Sequence, residues 1–141
     1  MFRTSILAAI CAVGFVSAAS AATMDFKATM SGKSEVPANA TKGSGDVLAT
    51  LDTTTKKLTY TMTYLGLTGP ATAAHFHGPA AAGANAGVAV PIGANPASPT
   101  TGSVTLTDPQ IKDLEAGKWY ANVHTKDNPG GEIRGQMVMT K

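Results

Sequence analysis

Residues 75 to 80 read HFHGPA, so His75 and His77 stand two positions apart, and the third histidine of the chain, His124, closes the run KWYANVH. Neutral imidazole offers a lone pair to borderline cations such as copper(II) and zinc(II), and three imidazoles leave one coordination position open. In an extended strand alternate side chains share a face, so His75 and His77 point one way and Phe76 the other. An aromatic ring belongs in a core, which turns both histidines to the opposite face. The same alternation along KWYANVHT puts Trp119, Ala121 and Val123 on an apolar face and Tyr120, Asn122 and His124 on the other. On neighbouring strands, about 4.8 Å apart, the three imidazoles would converge on one point. The competing account is three solvated or hydrogen-bonded histidines that bind nothing.

Other reactive groupings are weaker. Met137 and Met139 share a strand face with Ile133 and read as core filling, as does Met62 beside Tyr60. Glu132 and Arg134 lie on the other face of that last strand, placed to pair with each other or with Asp127. A Ser/His/Asp nucleophile lacks a G-x-S-x-G turn, and the separation of two carboxylates for glycoside hydrolysis cannot be read from spacing. No catalytic residue and no organic cofactor site is assigned.

These side chains must be positioned by strands. From Met24 onward threonine, valine, alanine and glycine dominate, with turn residues every eight to twelve positions, the texture of an all-β sandwich or barrel. Expected strands cover Asp25–Met30, Gly45–Asp52, Lys57–Leu65, Thr72–His77, Val88–Pro91, Gly102–Leu106, Lys118–His124 and Glu132–Met139. A tight turn over Asp52–Lys56 joins the second to the third, with Leu58, Tyr60, Met62 and Tyr64 on one face. Asn128-Pro129-Gly130-Gly131 makes a hairpin of the last two strands, which brings Glu132 and Arg134 near His124. One short helix follows Thr107: a threonine N-cap, Gln110 as capping-box partner, a proline in the first turn and Gly117 as the stop. The stretches 33–45 and 78–99 hold few large apolar groups and read as surface loops, the second long enough to suggest a lid or contact surface. Trp119 is expected partly buried, with one ring edge at the rim.

The first 21 residues have a different character. Arg3 precedes an apolar run from Ile6 to Val16, and Ala19-Ser20-Ala21 fits a signal-peptidase site. This is the anatomy of a secretory signal peptide, shorter than a membrane span of roughly 20 apolar residues. Removal of residues 1–21 leaves one domain, 22–141, exported to the periplasm or medium and without a membrane anchor. The only cysteine, Cys11, leaves with the signal, which excludes disulfides and thiolate metal sites from the mature chain. Loss of Arg3 also reduces 11 basic residues to 10, against nine acidic ones. With charge so balanced and no basic run, nucleic acid and anionic membranes have no electrostatic footprint.

AAHFHGPA and GKWYANVHTKDNPGGEIRGQM together resemble the CHRD domain, a module named after chordin and common in secreted bacterial proteins. The matched positions are His75-Phe76-His77-Gly78-Pro79-Ala80; Gly117, Tyr120, Asn122, Val123, His124 and Thr125; then Pro129 and Gly131-Glu132-Ile133-Arg134-Gly135-Gln136. The opening MSGKSEVPAN is similar to the domain's usual start, with Ala38 after Pro37 as a departure and one extra glycine in the turn as another. The resemblance implies an immunoglobulin-like antiparallel β-sandwich with no firmly established enzymatic activity. Combined with the histidine geometry, it leads to an expected copper site, with zinc as the second choice, at His75, His77 and His124. Tyr120 and Asn122 would flank that site, with Glu132 and Arg134 as structural support. An extracytoplasmic module that binds a protein or polysaccharide without metal is the alternative, and a metal-dependent enzyme has only the open coordination position in its favour.

Overall fold

In a computed structural model, which describes residues 22–141, the chain forms nine strands and one short α-helix. The strands are β1 (Thr23–Ser31), β2 (Ser44–Asp52), β3 (Lys57–Leu65), β4 (Ala71–His77), β5 (Val88–Ala94), β6 (Thr100–Thr105), β7 (Tyr120–Thr125), β8 (Ile133–Gln136) and β9 (Val138–Met139). The helix α1 (Asp108–Glu115) lies between β6 and β7, and a single 3-10 turn occupies Gly32–Ser34. The expected signal peptide lies outside the described residues. Among the described residues no helix is long and apolar enough to cross a membrane.

The antiparallel order is β5-β4-β7-β8-β1-β2-β3-β6, with β9 pairing beside β1. β8 meets β1 at only one pair, Ser31 opposite Arg134, so the path bends sharply there and the two halves face each other. The core fills the space between them. Tyr60 of β3 meets Phe76 of β4 edge-on at 5.2 Å between ring centroids, and Phe76 lies 6.0 Å from Trp119. This is the expected sandwich: alternating residues of each strand, among them Val47, Ala49 and Leu51 of β2 and Leu58, Tyr60 and Met62 of β3, supply the buried layer.

Local signals explain the connections. Asp52 Oδ1 accepts from the N–H groups of Thr54 and Thr55, at 2.8 and 3.0 Å, and Lys56 adopts φ 58°, closing the β2–β3 turn. Thr107 and Gln110 form both halves of the capping box, and Gly117 with φ 68° ends the helix region as expected. Leu114 seals the helix onto the core.

Several expectations need correction. The last strand is broken at Met137, whose N–H bonds to Trp119 O at 2.8 Å, so the chain leaves β7 and rejoins the sheet at β1. Met137 is thereby buried while Met139 is exposed, because the break abolishes the alternation that put both in the core. Trp119 is fully buried rather than rim-exposed: Gly78 lies against its indole so closely that a Cβ there would collide with it. The strand expected at Val88–Pro91 within the 78–99 stretch is present and longer, running to Ala94 and pairing with β4.

Candidate metal centre

The register of β4 on β7 sets His75 opposite Asn122, His77 opposite Tyr120 and Ala73 opposite His124. The core-facing partners are Ala74 with Val123 and Phe76 with Ala121, all fully buried. The three histidines therefore share the second face of the β4–β7 pair, as their alternation requires. They meet there: one ring nitrogen from each lies within 4.8 Å of the other two. Three nitrogens about 2.0–2.1 Å from one cation are roughly 3.3 Å apart in tetrahedral geometry, so small side-chain rotations close the set.

This second face is less open than the sequence implies. All three imidazoles are half-buried, and Tyr120 and Asn122 between them are buried outright. The cover is residues 84–87, part of the stretch expected to be a lid or contact surface, and the segment around Glu35, expected to be plain surface loop. His77 Nδ1 donates to Ala86 O at 3.0 Å, and Tyr120 Oη exchanges hydrogen bonds with Ala86 N and O at 3.2 Å. Tyr120 stacks on His77 with centroids 4.8 Å apart and planes within 2°.

The carbonyl contacts fix the tautomers. A carbonyl only accepts, so His77 and His124 carry their protons on Nδ1, the latter donating to Pro129 O at 3.0 Å. Each ring then presents its Nε2 lone pair. His124 Nε2 accepts from His75 Nδ1 at 3.0 Å. His77 Nε2 is buried and, among the described residues, has no hydrogen-bond partner. Burial holds His77 below the ordinary imidazole range against the opposing hydrogen bond to Ala86, and burial together with His124 and His77 does the same for His75. Both rings are neutral at pH 7 and keep their lone pairs. The backbone acceptors on the far nitrogens of His77 and His124 and the bare buried lone pair of His77 suit a metal-binding histidine set, which His75 and His124 would complete by giving up their mutual hydrogen bond.

Glu132 and Arg134 do support this face, but separately. Glu132 lies just before β8 and is fully buried, its carboxylate ringed by Thr41, Thr68, Thr125 and Asn128. Burial pushes its carboxyl up, yet the hydrogen bonds from Thr125, Thr41 and Thr68 outweigh it and hold the group at about 2. Arg134 donates to Asn85 Oδ1 at 2.8 Å and to Ala84 O, and its guanidinium lies 3.4 Å above the Tyr120 ring. The expected pairing of Arg134 with Glu132 or Asp127 does not occur among the described residues, because hydroxyls already satisfy the Glu132 carboxylate and the arginine turns towards the loop.

Glu35 is the member of the site that sequence reasoning missed. It is buried, accepts from Asn122 Nδ2 at 2.5 Å, and lies against Gly131. A Cβ at Gly131 would come within 2.6 Å of Glu35 Oε1 and collide with Asn122 Nδ2, and its φ is 133°, so a glycine is needed here. The signal that points to Glu35 is its place in the EVP of the opening motif.

Burial raises the Glu35 carboxyl to about 7, more than nearby Arg134 and its hydrogen bonds lower it. Between 4.5 and 7 the folded chain keeps a proton that the unfolded chain has released, so this group's stability contribution is lost as pH rises through that window. Glu35→Gln retains an acceptor for Asn122 and removes the titration. The variant should match the parent near pH 4.5 and exceed it above pH 7, by at most on the order of 3 kcal/mol. Urea unfolding at both pH values checks this; a stability difference that does not change with pH would clear Glu35 of the effect.

A family model described as CHRD domain matches residues 26–137, which span every strand that carries or supports the histidines. No curated protein and no solved structure matches the chain.

Proposed function

The chain belongs to the CHRD-domain family, and we propose that it binds one transition-metal ion outside the cytoplasm, copper(II) first and zinc(II) second, through His75, His77 and His124. The observation that carries this is His77 Nε2, a buried nitrogen lone pair with no partner among the described residues, facing two further imidazoles. An unpaired buried polar atom costs free energy on the order of 1–3 kcal/mol, and a folded chain keeps one where a ligand satisfies it. All-nitrogen ligation without thiolate suits copper(II) and zinc(II). A bound ion would act as a Lewis acid with an open position, while Tyr120, Ala86 and Pro129 hold the rings in place. The module-like family and the leader-like first 21 residues support an extracytoplasmic setting.

Calorimetric titration of the exported, metal-free protein at pH 7 should show one saturable site per chain. Acidification should weaken it, because protons and metal compete for the same lone pairs. The protein recovered from periplasm or medium should begin at Ala22 or Thr23, which mass spectrometry reads directly. Absence of saturable binding by either metal would end the proposal.

A second reading draws support from the outer face of β1, β2, β3 and β6. There Thr50, Thr59, Thr61, Thr101 and Ser103 line a shallow depression beside exposed Leu48, a hydroxyl-rich surface fit for a polysaccharide or protein. That surface lies away from the histidines, and a chain that fails the metal titration would be assigned to it.

A further inference from the structure

We propose that the cavity beside β8, bounded by the Gly32–Ser34 turn and residues 82–83, binds a small oxyanion, the carboxylate or phosphate group of a small molecule, through Arg134 and Lys33. It measures about 250 Å³, room for one small molecule and little more, and Lys33, Ser34, Glu35, Arg134 and Gln136 line it.

Arg134 is the reason. Its side chain is among the largest that are wholly buried, with 2 % of the residue exposed. Every direct partner of its guanidinium is neutral: the Ala84 carbonyl, the Asn85 amide oxygen and the Tyr120 ring. Among the described residues the ion pair formed is Lys56 with Asp108, on the surface, and Arg134 is in none. A guanidinium cannot shed its proton to escape burial, as a lysine or histidine does, so an uncompensated one is costly. Glu35 compensates only in part, since its carboxyl is held up at about 7 and its oxygen is engaged by Asn122. Two of the five N–H groups of Arg134 hold residues 84 and 85, which leaves the rest of the planar fork for an oxyanion. Lys33, exposed at the mouth, adds a second positive charge, and Ser34 a hydroxyl.

Gln136 contributes shape rather than a donor, because its amide nitrogen already serves Ala80 O and Gly117 O at 2.9 and 2.7 Å. The proposal uses none of the three histidines and stands or falls independently of the metal site.

The test titrates the folded, ¹⁵N-labelled protein with inorganic phosphate and, in parallel, with acetate, at ionic strength held constant with sodium chloride. The Arg134 Nε–H signal and the amides of Lys33 and Ser34 should shift saturably, and the melting temperature should rise with occupancy. The anion that saturates at the lower concentration identifies the group. Lys33→Ala, a change at an exposed position, should weaken binding about two- to fivefold, and Glu35→Gln should strengthen it by a similar factor. Loss of Arg134 would also loosen residues 84–86, so these two variants carry the decision. No saturable shift with either anion, or equal responses in the parent and Lys33→Ala, would reduce Arg134 to a pin for the loop and overturn the proposal.

Discussion

Glu132→Ala should destabilise the protein by about 4 kcal/mol at pH 7, the largest single-residue effect expected away from the apolar core. Its two oxygens accept from Thr41 Oγ1 at 2.6 Å, Thr68 N at 2.8 Å, Thr68 Oγ1 at 2.7 Å, Thr125 Oγ1 at 2.6 Å and Asn128 Nδ2 at 3.2 Å. Alanine leaves these donors without their shared acceptor; the Thr125 hydroxyl is buried, the Thr41 hydroxyl and the Asn128 amide are half-buried, and Thr68 lies at the exposed rim. Some hydroxyls will rejoin each other, as Thr68 and Thr125 already approach to 3.3 Å, and water can reach Thr68, so the cost falls mainly on the buried Thr125 hydroxyl and the tie between the 41, 68 and 125–128 segments. The contribution also depends on pH. The carboxyl titrates at about 2 in the folded chain against an ordinary 4.5, so the unfolded chain binds the proton first. Its stabilisation is complete above 4.5 and disappears as pH falls towards 2, a loss that solvent screening at the Thr68 rim keeps to about 1–2 kcal/mol. Urea unfolding of parent and variant at pH 7 and pH 3 should show the gap shrinking; a gap below about 1 kcal/mol at pH 7 would refute the assignment.

His77→Phe should lower metal affinity at least about 100-fold and leave the metal-free fold almost untouched. Phenylalanine keeps the ring that stacks on Tyr120. The lost donor does not orphan Ala86 O, which still accepts from Tyr120 Oη at 3.2 Å. It also removes the unpartnered Nε2, so the metal-free stability should change by less than about 1 kcal/mol or rise. Met137→Ala is the counterpart, expected to cost about 2–4 kcal/mol of stability from the core and nothing in affinity. Equal metal affinity in the parent and His77→Phe would remove His77 from the site.

Strand periodicity made the two faces of β4 and β7 legible, because a period of two is a local property of the chain. His75, His77 and His124 could be placed together from that alone, once the two strands were neighbours. The length of the 78–99 stretch suggested a lid, but neither its contacts nor the share of the cover taken by the Glu35 segment was legible. Arg134 reaches Asn85 across 49 positions, Asn122 reaches Glu35 across 87 and Thr41 reaches Glu132 across 91, contacts that leave no periodic trace. Composition misled for the same reason: the stretches 33–45 and 78–99 lack bulk, yet they cover the site with backbone carbonyls such as those of Ala84 and Ala86, which every residue type provides. Met139 failed through a single break at Met137, where alternation ceased to carry information.

The separation of faces has a consequence for how such a chain can change over time. Phe76, Ala121 and Val123 hold the two halves together from one side of β4 and β7, while the histidines occupy the positions between them on the other. Ligands can therefore be exchanged, lost or regained one at a time without a cavity opening in the interior. If the proposed site holds a metal, a lineage could drift from one bound ion to another, or to none, and still inherit an intact scaffold, which would make metal binding far more evolvable than the fold that displays it.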